Sequence, residues 1–112
     1  MEDIRLKTVP YEYEGKTYQL CCDYFTIAEI IAEFGKIPDI LNKRYRLKYF
    51  PSILAAMMNS YADSQGWEER FTGREIGEAI DVKHINFKLM QDVISLCIDA
   101  MYERKETDSS KN

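Results

Sequence analysis

The sequence predicts an α+β domain that is mostly α, with an N-terminal β-hairpin or small antiparallel sheet packed against a bundle of about four helices. Three observations lead there. Apolar and polar residues alternate in two runs on either side of Glu14-Gly15, and a period of two marks half-buried strands. Beyond Asp23 the pattern changes to helical spacing and recurs in several segments bounded by capping or breaking residues. The chain has 112 residues, 46% of them hydrophobic, which suits one core, since a domain of this size buries roughly two thirds of the surface its unfolded chain exposes. A single globular domain is expected over about 1–105.

The hairpin is placed at about 4–23. Ile4 to Val9 alternate as a half-buried strand, and Pro10 confines that strand to an edge or interrupts it. Tyr11 and Tyr13 continue the alternation. After Gly15, Tyr18, Leu20 and Cys22 alternate with Thr17, Gln19 and Cys21. Thr26 and Glu29 have capping-box spacing, so the first helix is placed at about 26–34, with Ile27, Ile30, Ile31 and Phe34 inward, Glu29 and Glu33 outward and Gly35 as its stop. Pro38 and Asp39 suit a single helical turn within 37–42. Pro51 opens a second helix at about 51–64, apolar on every side from Ile53 to Met58 and therefore central. Thr72 and Glu75 repeat the capping spacing ahead of a short helix at about 72–80. The last helix is placed at about 85–104, with two adjoining stripes: Ile85, Leu89, Val93, Leu96 and Ala100, and Phe87, Met90, Ile94, Cys97 and Met101. Together they are wider than one neighbouring helix covers, which predicts a core face with an exposed margin. The tail 106–112 lacks apolar residues and is expected to be disordered.

Composition argues against most chemistry. Three cysteines, without a basic and apolar export signal ahead of them, fit free thiols in a reducing cytoplasm. No apolar run is long enough to span a membrane. Cys21 and Cys22 point to opposite faces of a strand, so they make a poor chelate, and no CxxC spacing or second histidine joins His84 in a metal site. Glu29 with Glu33, and Glu68 with Glu69, read as solvated faces, and the five glycines are isolated. No catalytic residue, cofactor site or metal site is assigned, and the chain is not expected to be an enzyme.

The rival signal is the basic aromatic stretch 43–50, where Lys43, Arg44, Arg46 and Lys48 alternate with Tyr45, Tyr49 and Phe50. Such a segment can hold phosphates and stack bases, which makes a small nucleic-acid-binding regulator the alternative function. The net charge of −4 disfavours it. Adaptable or flat apolar side chains at Tyr45, Tyr49, Phe50, Met57, Met58 and Trp67 are the candidate partner-binding set.

The hairpin sequence EGKTYQLCCDYF runs into TIAEIIAEFG, then a connector, the helix ILAAMMNSYAD, the capped segment TGREIGEAID and a long final helix. This order resembles the small tail assembly chaperones of long-tailed bacteriophages and of gene transfer agent-like prophage elements. The likeness covers Tyr13 to Asp81 in detail; the N-terminal strand and the basic connector depart from the pattern. It implies a non-catalytic protein of the bacterial cytoplasm that holds the tape measure protein soluble and recruits tail tube protein. A structural tail component is a close variant of the same reading. Homo-oligomerisation is left open.

Overall fold

The computed structural model describes residues 7–102. Within them the protein is α+β and mostly α, as the sequence predicts. Strand β1 (Val9–Tyr13) pairs antiparallel with β2 (Lys16–Leu20), Tyr11 opposite Tyr18. Glu14 and Gly15 both have positive φ, 50° and 82°, as a twist-matched two-residue hairpin turn of type I′ requires. The strand predicted from Ile4 to Val9 is corrected: Lys7 and Thr8 are not in a strand, β1 begins at Val9, and Ile4 to Leu6 lie outside the described residues. Pro10 is accommodated because a two-stranded sheet consists only of edges. Tyr18, Leu20 and Cys22 are buried, on the side the alternation predicts.

Helix α1 runs Tyr24–Phe34, earlier than predicted. Its cap is Asp23, whose side chain accepts from the Thr26 N–H at 2.9 Å. Thr26 is fully buried, and its hydroxyl donates to the Cys21 carbonyl. Gly35, at φ 77°, ends the helix as expected. The predicted turn within 37–42 is absent; Asn42 instead caps a 3-10 turn at Lys43–Tyr45.

That turn leads into α2, Arg46–Ser64, which starts five residues before the predicted Pro51. Pro51 therefore lies inside the helix, where its missing N–H removes one intrahelical bond. The stretch Ile53 to Met58 is buried all round, so α2 is the central element. A Schellman motif closes it, with Trp67 N–H on the Ala62 carbonyl and Gly66 N–H on the Asp63 carbonyl.

Helix α3 (Gly73–Ala79) carries the predicted Thr72–Glu75 capping box. A second 3-10 turn, Val82–His84, precedes α4 (Phe87–Met101), which Asn86 caps. Val93, Ile94, Leu96 and Cys97 are buried, while Phe87 is 57% exposed, so both stripes of α4 contribute to the core and one margin stays open. The predicted 85–104 helix thus begins later, and its residues 103 and 104, like the tail 106–112, lie outside the described residues.

Glycines let α3 lie close on α2. A Cβ at Gly73 would run into Ser52 Oγ and come within 2.9 Å of Ser52 Cα, whereas one at Gly77 would make ordinary 3.6 Å contacts with Pro51. Gly73→Ala should therefore cost roughly 1–3 kcal/mol through overpacking. Gly77→Ala should stabilise by about 0.5–1 kcal/mol, because alanine restricts the unfolded chain and favours helix. Urea unfolding of the two variants, with opposite signs expected, checks this contact.

Candidate functional site

Helix α1 has only two charged side chains, Glu29 and Glu33, one turn apart. The amphipathic reading sends them to solvent, opposite the apolar stripe. Both are exposed, as that reading expects, yet they also rim a cleft against α2 and α3 and bond to α2. Asn59 Nδ2 donates to Glu29 Oε2 at 2.7 Å, and Ser52 Oγ donates to Glu33 Oε2 at 2.9 Å. At the start of the helix Ser60 Oγ bonds both oxygens of Asp23, at 3.0 and 2.8 Å. With Thr26 held inward, these ties fix the rotation of α1 about its own axis.

That rotation decides what faces out. At about 100° per residue, Ile31, Tyr24, Ala28, Ala32 and Phe25 follow one another around the helix, and Glu29 and Glu33 come next. The first five form an apolar arc whose large members are exposed: Tyr24 at 75%, Phe25 at 65% and Ile31 at 39%. The Tyr24 and Phe25 rings meet edge to face, 5.4 Å apart. Ile31 was expected inside; turning the carboxylates toward α2 carries it outward.

The predicted partner-binding set does not form one surface. Phe50, Met57 and Met58 are core residues, 4%, 1% and 0% exposed, because α2 is enclosed on all sides at that level. Tyr49 is half-buried edge to face against Phe34, 5.1 Å away. Trp67 is half-buried against Tyr18 and Tyr61, with the Lys16 ammonium 4.6 Å from its ring. Tyr45 alone is exposed. Sequence reasoning missed Tyr24 and Phe25 because they precede Thr26, the residue it took as the helix start. The available signal was that Tyr24–Phe34 holds only two charges, too few for a helix with one wet face.

The basic segment forms the 3-10 turn and the first turn of α2. Arg44 and Lys48 lie over Tyr45 and Tyr49, at 5.7 and 5.6 Å, and Arg46 Nε donates to the Ile40 carbonyl at 2.6 Å. Lys43, Arg46, Phe87, Met90 and Gln91 line a groove of about 270 Å³ beside it. His84, exposed, bonds Asp81 Oδ2 through Nδ1 at 2.8 Å.

The cysteine pairing is not the one adjacent in sequence. Cys21 is half-exposed, while Cys22, just past β2, and Cys97 of α4 are both buried in the core as neighbours. The neighbouring Cys22 thiol, with burial, pushes the Cys97 thiol far up. Burial likewise raises Cys21. Neither is a ready thiolate nucleophile, since low pKa and access are what make a cysteine reactive. Among the described residues no three His, Cys, Asp or Glu side chains gather as a metal site, and no helix is long and apolar enough to cross a membrane.

Partial burial at the cleft raises the Glu29 carboxyl above its usual 4.5; the Asn59 bond and the charge of Arg70 oppose the shift, and Glu33 adds to it. A folded-state pKa above the unfolded one means that the native state holds more protons in the window between them. The contribution of Glu29 to stability is therefore full below that window and falls as pH rises through it. Glu29→Gln, which keeps an acceptor for Asn59, should flatten stability against pH across the window upward from 4.5. Urea midpoints measured across the acid range test it.

No protein-family model, curated protein or solved structure matches this chain.

Proposed function

We propose that this protein is a non-catalytic chaperone that shields an apolar helical segment of a partner. By the resemblance of its sequence, we take that partner to be the tape measure protein of a long-tailed phage or prophage-like element, during tail assembly in the bacterial cytoplasm. One observation carries the reading: the exposed apolar arc of α1, held outward by polar ties on its inner edge. Side-chain hydrogen bonds between α2 and Asp23, Glu29 and Glu33 fix that orientation of a helix that could otherwise hide its aromatics. A face of this kind suits helix-on-helix recognition, in which a partner's anchors fall at i, i+3, i+4 and i+7. A tape measure helix exposes apolar stripes until tube protein encloses it, and many weak contacts along it serve a temporary binder.

The second reading, a nucleic-acid-binding regulator, has one observation in its favour: Lys43, Arg44, Arg46 and Lys48 gather at the N-terminal end of α2, where no carboxylate lies in the first turn. Against it, Tyr49 is engaged with Phe34, and the net charge is −4.

Co-expression with the tape measure protein encoded nearby tests the proposal. That partner should become soluble with the chaperone and precipitate without it, and purified tails should lack the chaperone. Equal solubility in its absence would refute the role, and stoichiometric retention in tails would make it a structural component. Sub-micromolar, salt-sensitive DNA or RNA binding lost on neutralising the four cations would favour the regulator.

A further inference from the structure

The apolar arc of α1 does not stand alone: a cleft of about 460 Å³ adjoins it, lined in part by Glu29, Ala32, Glu33, Ser52, Thr72 and Arg74. Ala32 belongs to both arc and cleft. Both carboxylates accept hydrogen bonds from neutral side chains, Asn59 and Ser52, and among the described residues neither forms an ion pair. The nearby cations are engaged elsewhere, Arg74 with Glu78 at 2.7 Å and Arg70 with Asp63 at 2.8 Å. An apolar strip thus runs beside two carboxylates whose charge no adjacent cation cancels by direct contact.

Resting on the chaperone reading, we infer that this surface selects an amphipathic helix carrying Lys or Arg along one flank of its apolar stripe. Packed helices lie about 8–10 Å apart, and long basic side chains extend over neighbouring apolar surface with their charged ends free, so a flanking cation can reach the cleft while the stripe covers Phe25 and Ala28. In that partly enclosed place the ion pair is screened less than on open surface. A second copy is the poorer occupant. Tyr24–Phe34 contains no cation, so α1 against α1 supplies carboxylates where cations are needed. Phosphate is repelled for the same reason.

The test uses the full chain and three synthetic helical peptides. Two share a Leu/Ala stripe and differ only in a flank of Lys or Glu; the third keeps the Lys flank but has Ser in the stripe. At near-physiological salt the Lys-flanked peptide should bind at least ~10-fold more tightly than the Glu-flanked one, about 1.4 kcal/mol. The Ser-stripe peptide should not bind measurably. Glu29→Gln with Glu33→Gln should shrink the preference to roughly 2-fold or less, because the charge contrast is gone; Glu33→Gln alone, a smaller change, guards against loss of fold. Phe25→Ser should weaken both striped peptides.

Equal binding of the Lys and Glu peptides, with Phe25→Ser still weakening both, overturns the charge selectivity and leaves the chaperone reading standing. Failure of every peptide overturns both. A preference that survives the double Gln variant, or binding of the Ser-stripe peptide as tight as the striped one, also overturns the inference. So does a dimer in sedimentation that Phe25→Ser dissociates.

Discussion

Replacing Tyr18 by alanine is expected to cost about 3–5 kcal/mol, the range for removing a large buried aromatic. Small domains hold only about 5–15 kcal/mol in total, so this variant should be largely unfolded or close to it. Tyr18 is 1% exposed and projects from β2 into three rings: Trp67 at 5.5 Å, Phe71 at 5.9 Å and Tyr61 at 6.1 Å, all edge to face. Those partners come from α2 and from the loop between α2 and α3. The ring thus fastens hairpin, central helix and loop together. Thermal unfolding should show a fall of well over 10 °C, at roughly 4–8 °C per kcal/mol for a domain of about this size. A shift of only a few degrees would mean that the hairpin contributes little to the core.

What the sequence made legible were features written in short-range spacing. The alternation around Glu14-Gly15, the stop at Gly35 and the Thr72–Glu75 box depend on neighbours within four residues, and each lies where the spacing put it. The errors came where one local signal competed with another or with a distant partner. Thr26 and Glu29 have capping-box spacing, but Asp23 stands three residues before Thr26 and takes the cap, which frees Thr26 to enter the core and Glu29 to meet Asn59. Pro51 looks like a helix start because proline suits a first turn. It is tolerated further inside α2, at the cost of one intrahelical bond, because the helix continues directly from the 3-10 turn that Asn42 caps. The binding set failed in the same way: methionine composition suggests adaptable contact, but only the enclosure of α2 shows that Met57 and Met58 have no free surface. The contact between Cys22 and Cys97 was beyond any spacing rule, since it joins a residue just past β2 to the last helix.

Asn59 is where these distant relations converge, and Asn59→Ala should cost roughly 2–5 kcal/mol through unpaired polar groups and lost packing. Its side chain, 7% exposed, accepts from the Phe71 N–H at 2.7 Å and donates to the Phe71 carbonyl at 2.8 Å and to Glu29 at 2.7 Å. One amide thus binds the loop before α3 to α2 as a strand neighbour would, and orients one of the two carboxylates of the cleft. Alanine leaves the N–H and carbonyl of Phe71 without these partners and frees Glu29 to swing. Asn59→Asp separates the two roles. Ionised, an aspartate still accepts from the Phe71 N–H, but it has no proton for the Phe71 carbonyl and repels Glu29. Protonated, it regains a donor and loses the repulsion. The native state of Asn59→Asp therefore binds the proton more tightly than the unfolded chain does, and its stability should recover as pH falls through the range between the unfolded and folded pKa values, by more than Asn59→Ala, in which only the Glu29 carboxyl can contribute. Urea midpoints of both variants near neutrality and in mild acid, with amide exchange at Phe71, measure the two effects. Equal midpoint shifts in the two variants at both pH values would mean that the amide donor of Asn59 does not hold the loop and the cleft together.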